Sequence, residues 1–447
     1  MKMKTLAYSL GVAGLLVPMV ASATNGYFAP GYGTKNKGMA GVSTANTHDT
    51  FGGANNPAQM VWVGERLDLG LEWFRPIREA NRVGSAGGTG AFDFNEESDN
   101  NNYLIPEFGY NRMINPNLSL GVTVYGNGGM NTTYESGAAI TRGGCVALGG
   151  FNPANPLCGI GALGVNLVQL IIAPTAAYKL NPQHSIGVSP LIGYQRFKAY
   201  GLQPFAQIST DPLNLTNKGT DDAWGWGVRV GYLGKLTDSV SIGAAYATKI
   251  YMSEFDKYKG LFAEQGDFDI PANLNLGIAV NVTPAVKLAF DYQRIWYSGV
   301  DAVGNSSVNP LCGLQLASGT PQVLASGCLG GSQGIGFGWQ DVDVFKFGVE
   351  YKYSDSLTLR AGYSHGDNPI KPEDVTFNIL APGVIEDHAT IGFTYALDPS
   401  SEISAFYAHA FENEVSGTPN PLYFPVGGIE TIRMHQDSLG IAWSKKW

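Results

Sequence analysis

The sequence predicts an all-β protein: a membrane-spanning, up-and-down antiparallel β-barrel of fourteen strands with an N-terminal plug in its lumen. Three observations carry that expectation. Between Arg66 and Trp447, segments of alternating apolar and polar residues follow one another without a composition break. The gaps between them run short, long, short, long. The final segment ends on an aromatic residue, Trp447. Tight turns at one rim and long loops at the other are what a closed barrel in a membrane produces.

The first residues read as a secretion signal. Lys2 and Lys4 precede the apolar run Leu6 to Val20, and Ala21-Ser22-Ala23 forms a small-residue cleavage site. The run is shorter than the ~20 residues of a spanning helix. A signal peptide over 1–23 is therefore expected, and with it export to the outer membrane of a Gram-negative cell. Charged residues make up 15% of the 447, against roughly 25% in soluble domains. The net charge is −9 and no Lys/Arg-rich run is present to neutralise phosphates, so nucleic acid is not an expected partner. Cys145 with Cys158, and Cys312 with Cys328, fall as local pairs inside two of the long gaps. In an exported chain they read as two loop-closing disulfides. A zinc site is the alternative, although C-x-x-C spacing and neighbouring histidines are missing.

A membrane strand needs about 9–11 residues with every second side chain facing lipid. Val286, Leu288, Phe290 and Tyr292 alternate in this way with Lys287, Ala289, Asp291 and Gln293. Phe345, Phe347, Val349, Tyr351 and Tyr353 alternate with Val344, Lys346, Gly348, Glu350 and Lys352. Trp224, Trp226, Val228, Val230 and Tyr232 alternate with glycines and Arg229. Strands are read near 66–79, 102–114, 118–131, 168–180, 184–200, 221–235, 239–252, 268–282, 285–300, 340–353, 356–365, 386–397, 401–412 and 432–447. An even count puts both ends, and all six short gaps, at the periplasmic rim. The long gaps, cysteines included, then fall outside. A soluble β-sandwich explains the alternation but not this asymmetry.

Fourteen strands enclose a space too wide for opposing side chains to fill, so something occupies it or the protein is an open pore. Segment 24–64 is rich in Gly, Ala, Asn and Thr and precedes the first strand, which suits a compact plug; the barrel itself is assigned to 65–447. Within the segment, Gly38-Met39-Ala40-Gly41, Asp49 and Asn56-Pro57-Ala58 resemble the N-terminal hatch of the FadL/TodX family. Trp224-Gly225-Trp226-Gly227, Arg360-Ala361-Gly362-Tyr363, Asp367-Asn368-Pro369 and Gly392-Phe393-Thr394-Tyr395 stand where that family has similar runs. The resemblance implies an outer-membrane channel for long-chain fatty acids or aromatic hydrocarbons. It further implies capture by outer loops, binding in the lumen, a shift of the hatch, and sideways exit at a kinked third strand. The implied hatch residues are Gly38, Ala40, Gly41, Asn56, Pro57 and Ala58. The implied exit is Gly126-Asn127-Gly128-Gly129, where glycines interrupt the third strand. Phe28, Arg196, Lys198, Ile335 and Phe337 are the implied ligand contacts. Hydrophobic small molecules, outer-membrane lipid and the barrel assembly machinery, for which the terminal Trp447 resembles the recognition signal, are the expected partners. A monomer without metal or cofactor is expected.

The chain departs from its apparent relatives in two places. Fatty-acid members of the family hold the ligand carboxylate with luminal bases, one at the outer end of the fifth strand and one before the tenth. Here the first place offers Arg196 and Lys198 beside Gly201, and the second is Gly334-Ile335-Gly336-Phe337-Gly338 with no base. Without a charge-assisted anchor an apolar or aromatic ligand gains ground. The gap at 132–167 is long and its continuation, Ile160 to Ile172, is apolar. With Phe205, Phe255, Leu261 and Phe262 it is expected to form a capture surface, or else to pack under its own loop. A general diffusion porin is one alternative function. An outer-membrane hydrolase is another, with His365 and Asp367, or His388 and Asp387, as its nearest catalytic pairs.

Overall fold

The computed structural model describes residues 25–136, 144–147, 154–317, 320–324, 326–421 and 425–447. The expected signal peptide lies outside them. The wall strands are β1 (Arg66–Val83), β2 (Tyr103–Asn115), β3 (Leu118–Asn131), β4 (Gly164–Lys179), β5 (His184–Tyr200), β6 (Asp221–Lys235) and β7 (Val240–Ala247). They continue with β8 (Asn273–Asn281), β9 (Val286–Ile295), β10 (Val342–Lys352), β11 (Leu357–Gly366), β12 (Asp387–Asp398), β13 (Ser401–Gly417) and β14 (Ile429–Lys446). Each pairs antiparallel with its neighbour in sequence, and β14 closes on β1 from Arg66↔Lys446 to Val83↔Ile429. The result is a closed fourteen-stranded barrel. Two short strands, Phe94–Glu97 and Tyr251–Met252, extend its margin against β1 and β6.

Alternation assigns the two faces. On β1, Leu69, Leu71 and Trp73 are exposed, whereas Asp68, Glu72 and Phe74 are buried. The same outward apolar row continues through Ile278, Phe290, Phe347, Ile391 and Ile441. In water such a belt would be a large sticky surface; against lipid it is the required one. Pairing of β14 with β1 leaves the sheet without a free first or last strand.

Five of the six short connections start with a side-chain oxygen that accepts a backbone N–H two or three residues on. Asn115 serves Asn117, Asn181 serves Gln183 and His184, Thr283 serves Val286, Ser354 serves Leu357, and Asp398 serves Ser400. In the sixth, Thr237 serves Val240 one residue into the turn. This local chemistry lets the turns be tight.

β3, β5 and β6 run as the alternation predicts. The wall is lower than expected along β7 to β9, which end or begin at Ala247, Asn273 and Ile295 rather than at 252, 268 and 300. The reason is that the flanking chain turns into the mouth of the barrel. Phe255, Phe262, Phe268 and Tyr297 are buried there, in an aromatic cluster with Tyr27, Phe28, Phe197, Phe337 and Trp339. Both disulfides form, Cys145–Cys158 and Cys312–Cys328.

Candidate functional site

Almost every residue from Asn25 to Val61 is buried inside the wall. The segment is short-turned rather than regular, with Ala40 and Gly41 at φ 55° and 82°. It is held from many sides at once. Lys35 pairs with Glu402 on β13, and Lys37 with Glu72 on β1 and Glu107 on β2. Asp291 on β9 accepts from the Ser43 and Thr44 amides at 2.7 and 2.8 Å. Thr390 on β12 accepts from the Ala40 amide at 2.8 Å. Ser185 on β5 donates to the Ala58 carbonyl at 2.8 Å, and Asn56 donates to the Tyr232 carbonyl on β6 at 2.9 Å. The inward strand glycines make the fit possible. A Cβ at Gly187 would lie 2.4 Å from the Pro57 carbonyl carbon, and one at Gly231 would lie 2.1 Å from Asn56 Oδ1. One at Gly362 would lie 2.3 Å from the Met39 carbonyl carbon, and Gly38 backs onto Gly392.

Besides a three-residue skip between β4 and β5, around Pro174 and Pro190, the wall loses its pairing along one whole strand end among the described strands. β2 and β3 stay in register up to Phe108↔Val124, and beyond it Tyr103–Glu107 and Tyr125–Asn131 have no ladder between them. β3 instead bends inward. Against β4 it carries a bulge in which Gly126 faces Leu170 and Gly128 faces Gln169, so Asn127 is the extra residue. The N-terminal segment takes up the freed backbone: Ala29 donates to the Asn127 carbonyl at 3.1 Å and Gly129 donates to the Tyr27 carbonyl at 3.2 Å. The Asn127 side chain accepts from Tyr32 and donates to Gln169, both at 2.9 Å. On the other margin Pro106, which pairs with Leu71 of β1, brings no N–H that could bond toward β3.

Two cavities flank this region. A narrow upper one lies between Gly26-Tyr27, the bent end of β3, Trp339, Met434 and the β1 residues Phe74, Pro76 and Arg78. A narrow lower one lies between Pro30, Lys37 and the inner faces of β12, β13, β14 and β1. Phe74 lines both, and it packs with Tyr103 and Ile105 of β2 beside the break.

Residues 14–422 match the family model described as outer membrane protein transport protein (OMPP1/FadL/TodX). The chain belongs to this family. Solved structures agree with the FadL/TodX barrel at low identity. The Pseudomonas putida toluene transporter TodX is 18% identical over 95% of this chain and 100% of its own, with TM-score 0.65. A Pseudomonas aeruginosa FadL homologue is 16% identical over 94% and 99%, with TM-score 0.68. The Ralstonia pickettii toluene transporter TbuX is 18% identical over 94% and 99%, with TM-score 0.61. No curated protein matches.

Within this FadL/TodX barrel, Phe28 is buried and bridges to Gly128, and Ile335 and Phe337 are buried under the outer loops. Arg196 and Lys198 are elsewhere. They follow Val188, Ile192 and Tyr194 on the outward face of β5, where Arg196 lies 3.9 Å from Asp222. The residues of β5 that point inward at this height are Gln195, Phe197 and Ala199. The expected capture surface is also corrected. Phe205, Phe255, Leu261 and Phe262 are all buried, because loops from opposite sides meet over the lumen and cover them. Of the hydrolase pairs, His388 points into the lumen while Asp387 points outward to His365 and Tyr363. Neighbours on a strand face opposite ways, so the two cannot act together. The described residues hold no cluster suited to a metal.

Above the barrel, in the loop joining β7 and β8, burial and the neighbouring Asp269 carboxylate raise the Asp267 pKa to about 7. Asp269 is itself paired with Lys249 at 2.9 Å. A carboxyl whose pKa is raised by folding stabilises most below its unfolded value of about 4, and that contribution is lost as pH rises through the folded value. Hydrogen exchange across 253–270, corrected for intrinsic rates, should therefore show protection that falls between pH 5 and 8. Asp267→Asn should keep the protection across that range.

Proposed function

We propose that the protein carries small hydrophobic molecules across the outer membrane and releases them sideways into the bilayer. Cargo enters between the outer loops and rests against Phe74, Trp339 and Met434 in the upper cavity. The N-terminal segment is the hatch that closes the lumen below it. Cargo leaves past Ile105 through the break between β2 and β3. The observation that carries this reading is that break, with two cavities and an apolar cluster at its inner side. Lateral release also makes physical sense, since each CH₂ kept out of water is worth roughly 0.8 kcal/mol. Relatives described as toluene transporters, and as a monoaromatic hydrocarbon channel, share the fold. Residues 1–23 direct export, Trp447 is the handle for barrel assembly, and the closed wall works as a monomer.

The test is uptake of radiolabelled toluene and of a radiolabelled fatty acid by cells with and without the protein, alongside single-channel recording. Faster uptake of either with negligible ion conductance is expected. No uptake of either would overturn the carrier reading, and a large conductance in the intact protein would replace it with a diffusion porin.

A further inference from the structure

A third cavity, of about 570 Å³, opens at the rim of tight turns. Asn46 and Thr47 of the N-terminal segment lie at its inner end, and the turns after β4 and β6 border it with Gln183 and Thr237. Its size falls within the roughly 300–1,000 Å³ of ligand sites, which are mostly apolar. This lining is instead rich in amides, hydroxyls and ammoniums, so it does not suit a hydrophobic cargo.

Positive charge is in excess around it. Lys179, at the end of β4, and Lys235, at the end of β6, place their ammoniums 4.4 and 3.8 Å from the centre of one ring, that of Trp62. Trp62 is held in turn by a 2.8 Å hydrogen bond to Ser185. Among the described residues neither lysine has an ion pair. Two ammoniums on one ring stand closer than a Debye length of about 10 Å at 0.1 M salt, so each feels the other. Lys287, across the cavity, reaches Glu350 at 3.5 Å, but Arg360 and His48 already hold that carboxylate at 2.8 Å each. Asp238, in the turn after β6, is the one acid lining the cavity among the described residues.

The lysines do not converge on a point. They stand on β4, β6 and β9, and at about 4.8 Å per strand that spreads them over roughly 20 Å of rim. A small anion would meet one or two of them. An extended segment of about six residues, at ~3.3 Å each, would meet all three. Asn46, Gln183 and Asn281 each carry a donor and an acceptor, which matches the peptide groups between acidic side chains.

We propose that this vestibule docks an acidic peptide segment of a periplasmic partner. From the transport reading it takes only the placing of the tight turns in the periplasm, and it stands whatever the cargo is. A segment bound there rests against Asn46 and Thr47, and so against the proposed hatch. The rival is an acidic glycan, which offers the same charge without peptide groups.

The experiment is fluorescence anisotropy on the full-length protein with labelled hexaglutamate, hexaglutamine and hexagalacturonate. Hexaglutamate should bind about tenfold tighter than hexaglutamine or better. That advantage should vanish between about 0.01 and 1 M salt, as the Debye length falls from about 30 to 3 Å. Lys179→Gln with Lys235→Gln should weaken hexaglutamate about tenfold or more. Lys352→Gln with Lys445→Gln removes the same charge from the same rim outside the cavity, and should leave binding within about twofold. No binding of hexaglutamate by the wild type, equal binding of hexaglutamine, or equal loss in the two double variants overturns the proposal. Hexagalacturonate binding as tightly as hexaglutamate overturns the peptide assignment in favour of the glycan. Cargo uptake does not enter the readout, so failure here leaves the carrier reading untouched.

Discussion

Deleting residues 25–62 should turn the protein into an open pore, with single-channel conductance rising about tenfold or more as the lumen of a fourteen-stranded wall is freed. The wall does not depend on the segment for its ladder. Every strand from β1 to β14 pairs with wall neighbours, and β14 closes on β1 along its whole length. What the deletion removes is the filling. Lys35, Lys37, Ser43, Thr44, Asn56 and Ala58 lose their partners on six strands, and those partners are left facing water. Heat-modifiable migration on gels and unchanged far-ultraviolet circular dichroism would show that the barrel persists. Conductance that stays at the wild-type level would mean that the aromatic cluster beneath the outer loops seals the channel alone.

The second large effect should come from removing one residue, Asn127. Its excision takes out the bulge, so Gly126 and Gly128 become consecutive opposite Leu170 and Gln169 with the β4 register otherwise kept. The upper end of β3 then straightens and can ladder with β2 above Phe108. Cargo uptake should fall about tenfold or more, because backbone pairing in lipid closes the gap between β2 and β3 and is costly to break. Ligand binding should stay within about threefold, since the upper cavity is lined mainly by other elements. Uptake at the wild-type rate in this variant would rule out sideways exit between β2 and β3. Loss of binding as well would show that the bend shapes the pocket and does more than open the wall.

Much of this architecture was legible in the residues. Period-two alternation fixed β3, β5 and β6, and the short gaps at 115–117, 181–183, 236–239, 283–285, 354–356 and 398–400 marked the rim of tight turns. The glycines of β3 were legible as an irregularity because three in four positions carry no side chain to pack. Pro106, the matching signal on β2, sits two residues above the last paired position and was passed over. Arg196 and Lys198 were assigned from the place where the family resemblance implies a luminal base, when the apolar row Val188, Ile192 and Tyr194 already put them on the outward face. By the same parity Arg78 falls in line with Phe74 and Glu72, inward. The burial of Phe205, Phe255 and Phe262 had no comparable signal. It is set by which loops meet across the mouth, and that is a long-range property no local pattern encodes.

The glycines that seat the N-terminal segment have one more consequence. Because backbone meets backbone at Gly187, Gly362 and Gly392, the N-terminal segment is seated at a set depth by shape, with little tolerance for drift. The space above it is bounded by loops and by the outward ends of β1 and β14, which carry no such constraint. On the proposed reading, cargo preference is free to change through the roof while the closure below stays the same.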